Sequence, residues 1–253
     1  MRLIFLGTAS AFVTDINNYQ SNLILQADDG KLLLIDCGTD ARRSLHALGF
    51  SYRDITDVYL SHLHADHAGG LEWLAFRRKF DEKLKKPNLY LSEQLVEPLW
   101  ENTLSGGLTS LTHEPASLSA YFQVHPIVDG GSFSWHGVNF QMIENRHIFS
   151  EYACMSSYGL FFRADRLQIF LTTDAQFQPE RSLVYYEQAD LIFQDCETSV
   201  KPSGVHAHYQ QLKTLNPDIK AKMWLYHYNN ALLPDAQADG FAGFAQPGQI
   251  FTI

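Results

Sequence analysis

The chain has 253 residues, 45% of them hydrophobic and 19% charged, enough length and apolar content to bury a sizeable core. Its net charge of −9 argues against a broad nucleic-acid-binding surface. No apolar run reaches the ~20 residues of a membrane span, and the first seven residues are too short an apolar stretch for a secretory signal.

In chain order, β-branched and apolar runs predict strands at 2–6, 21–26, 31–36, 58–61, 88–91, 133–143, 157–163, 167–172, 191–194 and 223–226. Helical spacing predicts helices at about 41–49, 71–80, 93–102, 209–215 and 217–221. The run Leu32–Gly38 is continuously apolar until it ends in Asp36, as for a buried strand turning out at its C-terminal end. Residues 105–110 (Ser-Gly-Gly-Leu-Thr-Ser) predict a flexible loop, and 87–131 is expected to form a packed cap or a lid. No repeat or low-complexity linker interrupts the pattern, so one domain over 1–253 is expected. Strands dominating both halves, with helices between, predict an α/β fold: an αββα sandwich of two packed mixed sheets with outer helices. Cys37, Cys154 and Cys196 are odd in number and far apart, which suits reduced thiols in a cytoplasmic protein.

The densest chemistry lies at Ser61-His62-Leu63-His64-Ala65-Asp66-His67, between the strand near 57–60 and the helix after it. Three imidazoles and a carboxylate within six positions are costly to bury unless they surround a metal ion. A nearby basic stretch, Arg77, Arg78, Lys79, Lys83, Lys85 and Lys86, reads as a solvated helix end, with contact to an anionic substrate the minority reading.

The order His-x-His-x-Asp-His resembles the signature of the metallo-β-lactamase fold superfamily. That resemblance implies a one- or two-metal hydrolytic site between two sheets. By similarity to binuclear members, His62, His64 and His147 would hold a first ion. Asp66, His67 and His227 would hold a second, and Asp174 would bridge them. His147, Asp174 and His227 each follow an apolar strand run, which suits delivery to a sheet rim. Asp36 reads as a structural carboxylate holding the metal loop by hydrogen bonds. The donor set suits zinc, with manganese or iron able to occupy it.

Two divalent ions carry four positive charges; Asp66, Asp174 and a bridging hydroxide would remove three, leaving a site that attracts an anion. Such ions lower the pKa of bound water from ~15.7 towards ~7, and a metal-bridging hydroxide attacking in line suits phosphodiester hydrolysis. An aspartate at position 174 disfavours the β-lactamase branch, and His64 disfavours the flavodiiron branch. The chain further resembles ribonuclease Z-like phosphodiesterases, which add an acid–histidine pair. Here Asp195 and His206 would form it, giving catalytic roles to Asp66, Asp195 and His206; Glu197 is the alternative acid and His208 the alternative imidazole. No Gly/Pro-rich arm for gripping transfer RNA is evident. A small or cyclic phosphodiester is therefore the expected substrate, ahead of ribonuclease Z-type RNA 3′-processing or lactone and thioester hydrolysis. Related phosphodiesterases often pair, so a homodimer is compatible with this reading; a membrane partner is not expected.

Overall fold

The structure is a computed structural model that describes residues 1–15, 17–229 and 232–253. Fourteen strands among the described residues form two sheets of seven. The first contains β1 (Arg2–Phe5), β2 (Leu23–Gln26), β3 (Leu32–Ile35), β4 (Ile55–Leu60), β5 (Asn88–Ser92), β6 (Gln123–Ile127) and, at its far edge beside β1, β14 (Ile250–Thr252). The second runs in spatial order β13 (Gly243–Phe244), β12 (Met223–Tyr226), β11 (Leu191–Asp195), β10 (Leu167–Leu171), β9 (Cys154–Ala164), β8 (Val138–Phe149) and β7 (Ser132–Trp135).

Both sheets are mixed. Strands β3 to β6 are mutually parallel, as are β10 to β13, whereas the remaining neighbours pair antiparallel. Residues that alternate along the parallel strands are apolar on both faces, which is why these strands read as unbroken apolar runs. In β10, Ile169 and Leu171 enter the core between the sheets, while Phe170 faces the outer cluster. In β11, Phe193 points inward and Ile192 outward. The inner core joins Phe5, Tyr59, Phe140, Phe162 and Phe193 from both sheets.

Helices cover the outer faces. Over the first sheet lie α1 (Ala41–Ala47), α2 (Ala65–Ala68), α3 (Leu71–Lys79), α4 (Glu93–Pro98), a π-helical turn (Leu99–Leu104), α5 (Ser105–Leu108) and α6 (Leu118–Tyr121). Over the second lie α7 (Pro179–Gln188), α8 (Tyr209–Leu212) and α9 (Pro217–Lys220). The expected αββα sandwich is thus present. Among the described residues, no helix is long and apolar enough to cross a membrane.

The differences from expectation have local causes. The single strand expected at 133–143 is the β7–β8 hairpin, because His136 and Gly137 both take positive φ and reverse the chain. The loop expected at 105–110 begins as α5, where Leu104 and Leu108 are buried and outweigh the two glycines. The stretch 87–131 supplies β5, β6 and packed helices, with Leu95, Leu99, Leu108 and Tyr121 buried against the first sheet. The basic stretch is not merely solvated: Arg78 is buried and donates to the carbonyls of Arg53 and Lys85, and Lys79 pairs with Glu114.

Phe193 touches Phe5 at 5.5 Å and Phe251 at 4.9 Å between ring centroids, spanning the inter-sheet space. Phe193→Ala should lower the unfolding free energy by about 3–5 kcal/mol through lost burial and a residual cavity, read as a lower urea midpoint at unchanged slope.

Candidate metal centre

The C-terminal ends of the central parallel strands bring the donors to one rim. The loop after β4 carries His62 and His64, α2 carries Asp66 and His67, β10 leads to Asp174, and β12 leads to His227. His147 arrives differently. It lies within β8 where the pairing with β9 shifts register between Arg146 and Ile148, and the resulting bulge re-aims a side chain that would otherwise follow the strand's alternation.

Two donor groups meet at Asp174. In the first, His64 Nδ1 lies 3.1 Å from His62 Nε2 and 2.9 Å from His147 Nε2, and each of those Nε2 atoms lies 3.7 Å from Asp174 Oδ2. In the second, His67 Nε2 is 3.2 Å from Asp66 Oδ2 and 3.3 Å from Asp174 Oδ1, while His227 Nε2 is 3.3 Å from Asp174 Oδ2. Asp66 Oδ2, His67 Nε2, Asp174 Oδ1 and His227 Nε2 are buried with no hydrogen-bond partner. Four orphaned buried donor atoms converging on one region are what a bound cation would satisfy, so the residues fit divalent metal ions.

The surrounding groups fix the ring orientations. His147 Nδ1 donates to the Val205 carbonyl at 2.9 Å, which leaves its Nε2 lone pair facing the donor group. Asp36 is the hub on the other side: its Oδ2 accepts from His67 Nδ1 at 2.7 Å and from Ser61 Oγ at 2.7 Å, and its Oδ1 accepts from the Ser61 N–H at 2.8 Å. Ser61 Oγ in turn lies 3.0 Å from His62 Nδ1. Asp36 thus holds the metal loop by hydrogen bonds, as expected from the sequence.

Backbone packing completes the clamp. The Cys37 N–H donates to the His67 carbonyl at 2.6 Å, and the Thr39 N–H to the Ala65 carbonyl at 3.1 Å. A Cβ on Gly38 would overlap the Asp66 carbonyl, so only glycine permits this approach. Asp36, Thr173 and His227, each just past a strand end, all hold positive φ (63°, 55° and 61°). For the β-branched Thr173 this is a costly conformation, retained where the chain must turn to present Asp174.

Protonation follows burial and neighbours. Burial pushes the His62 and His227 imidazoles down, and takes His147 down to about 4, so these rings are neutral and able to ligate. For His67, burial is outweighed by Asp174, Asp66 and Asp36, which drive its pKa well up. Without a metal ion, His67 is the positive charge these carboxylates share. Asp66 falls to about 2 against the opposing effect of burial, mainly through His67.

The acid–histidine pair sits beside the shared carboxylate. His206 Nδ1 is 2.7 Å from Asp195 Oδ2 and 3.8 Å from Asp174 Oδ2. Burial disfavours charge on His206, but Asp195 overcomes it and raises the pKa to about 9. Asp195 Oδ2 also accepts from the Ala175 N–H at 2.9 Å. The two alternatives occupy other places. His208 caps α8 and lies 2.8 Å from the Ser199 carbonyl through Nε2, and Glu197 binds Ser199 and Ser203.

A cleft of about 500 Å³ opens onto His64, Asp66, His147, Asp174, His206 and His227. Its other walls are Ala11, Phe12, Gln20, Thr39, Ile148 and Val205, and none of its lining comes from 87–131. Phe12 is 94% exposed there. Sequence reasoning missed these wall residues because a lone aromatic on an aperiodic loop carries no pattern.

Comparison with known proteins agrees with this picture. The chain superposes on the metallo-β-lactamase fold protein YhfI from Bacillus subtilis with a TM-score of 0.75 at 17% identity, covering 99% of this chain and 98% of that one. It superposes on the short form of human tRNase Z with a TM-score of 0.72 at 17% identity, covering 100% and 99%. These likenesses show the metallo-β-lactamase fold, and on it the two His/Asp donor groups are placed where they could hold metal ions. In sequence, the chain is 36% identical over 256 residues to the Anti-Pycsar protein Apyc1 of Paenibacillus harenae, with 100% of each chain covered. The profile of that family matches residues 1–251, and the chain belongs to the Anti-Pycsar protein Apyc1 family.

Proposed function

We propose that this chain is a binuclear phosphodiesterase acting on a small or cyclic phosphodiester. The observation that carries this reading is the shared Asp174, flanked by two donor groups and by the His206–Asp195 pair, at the floor of a cleft the size of one small molecule. His62, His64 and His147 would hold one divalent ion and Asp66, His67 and His227 the other, with Asp174 touching both. Zinc suits the mixed nitrogen and oxygen donors. Such ions, when bound, supply hydroxide at neutral pH and grip a phosphoryl oxygen.

The chain's own residues do the rest. Asp36 and the Val205 carbonyl lock the rings of His67 and His147, so the donors need no reorganisation on substrate entry. His206, held protonated by Asp195, stands beside Asp174 at the cleft wall, where Nε2 can pass a proton to a departing alkoxide. That proton matters because an alkoxide is a poor leaving group, whereas a thiolate is not. The pair therefore favours phosphodiesters over thioesters. The apolar wall of Phe12, Ile148 and Val205 offers a surface for a planar or aliphatic substituent and little to grip a long polyanion.

Purified protein should hydrolyse bis(p-nitrophenyl) phosphate or a cyclic nucleotide, and lose that activity with chelator. Failure on every phosphodiester, with turnover of lactones or thioesters instead, would overturn the reading. His206→Ala should lower turnover of an alkyl-leaving phosphodiester on the order of 10²–10⁴-fold at unchanged metal content. Elemental analysis separates the two donor groups: His227→Ala should lose one ion per chain and Asp174→Ala should weaken both. Equal losses from the two variants would contradict a shared bridge.

A further inference from the structure

Glu197 is buried, yet no lysine or arginine nitrogen lies within 4.0 Å of its carboxylate among the described residues. Its charge is offset by the nearby imidazolium of His206 and by hydrogen bonds, so the carboxylate is held by its own loop. Its oxygens are saturated by one loop. Oε1 accepts from Ser199 Oγ at 2.5 Å, and Oε2 accepts from the Ser203 N–H and Ser203 Oγ, each at 2.9 Å. The backbone beside it is pinned as well, since the Glu197 N–H donates to the Ala207 carbonyl and the Tyr209 N–H donates to the Glu197 carbonyl.

That loop carries two groups of the catalytic cleft. Its Val205 carbonyl orients the metal donor His147, and its His206 pairs with Asp195. Between the clamp and these groups the chain turns through Gly204 at φ 81°, with the Gly204 carbonyl held by Gln176 Nε2 at 2.9 Å. A loop of this length without secondary structure would otherwise sample many conformers, and each would move His206 relative to Asp174.

We propose that Glu197 is a positioning residue whose carboxylate sets the loop 198–206, and through it the placement of His206. Glutamine at this position keeps one acceptor but turns an amide NH₂ towards the Ser203 N–H, so the clamp opens without a change of volume. The role in turnover rests on the phosphodiesterase reading, whereas the role in ordering the loop does not.

Two measurements separate them. In hydrogen exchange followed by mass spectrometry, Glu197→Gln should speed exchange across 198–206 while leaving 61–67 protected. In kinetics, the same variant should cut turnover of a cyclic nucleotide on the order of 10-fold, as for other outer supports of a metal site, while bis(p-nitrophenyl) phosphate falls by less than about 2-fold. The contrast arises because p-nitrophenolate leaves without needing the proton of His206. Ser203→Ala removes one clamp bond and should shift both readouts in the same direction by less, which covers a Glu197→Gln protein that does not fold. Equal loss on both substrates, or unchanged exchange over 198–206, would overturn the proposal. Faster loop exchange in a protein with no phosphodiester turnover would sustain the clamp and sink the phosphodiesterase reading alone.

Discussion

The structure depends on one buried carboxylate that two groups of ligands share. Asp174 and Asp66 are both buried, and the charge of Asp174 raises the pKa of Asp66. In a dry interior such a pair is unfavourable unless positive charge stands between the oxygens. The imidazoles of His67, His227 and His206 lower the pKa of Asp174, and those of His67 and His227 lower that of Asp66. Divalent ions bound at this rim would add positive charge, and His67 would then ligate as a neutral ring. Metal binding at this rim would therefore couple to its folding, because the buried carboxylates that ligate the ion are the ones that need positive charge beside them.

Holding that trap open takes backbone strain and close packing at a distance from the donors. The residues just past β3, β10 and β12 all adopt the left-handed region, and two of them, Asp36 and His227, are themselves part of the centre. Each reverses the chain just where a strand ends, so its side chain or the next one turns back over the rim instead of continuing outward. The loop clasped against Gly38 and Cys37 keeps Asp66 and His67 from relaxing apart. The inter-sheet core behind these strand ends supplies the rigidity that pays for this strain.

Much of this was legible in the sequence, for identifiable reasons. The parallel strands announce themselves because burial on both faces leaves no polar position, and Ile169-Phe170-Leu171 could hardly be anything else. The candidate metal loop is legible because four potential donors, His62, His64, Asp66 and His67, lie within six positions. The distal candidates Asp174 and His227 are legible from the apolar runs that precede them together with the family resemblance, whereas the bulge that carries His147 has no local pattern to mark it. Strand β6 was missed because Gln123–Ile127 contains two polar residues and a proline, and lies at an edge where such residues are tolerated. Strand β14 is only three residues, set by its partner β1 and not by its own composition. Helix α7 went unseen because only Tyr186 of its ten residues is buried, so its sequence has no continuous apolar stripe.

The proposed small substrate also reconciles an apparent conflict between an acidic protein and an anionic ligand. At physiological salt the field of a surface charge fades over about 8 Å, so the net charge of −9 acts mainly on what lies across the surface. Inside the cleft the local balance would be set by cations bound at the two donor groups and by His206, not by the distant surface carboxylates. A single phosphodiester entering a cleft of about 500 Å³ meets only that local field. An RNA chain would lay further phosphates outside the cleft, across a protein whose net charge is negative. The same acidic surface that weakens binding of a long polyanion thus leaves a one-phosphate ligand almost untouched, and discrimination by size follows without any dedicated gate.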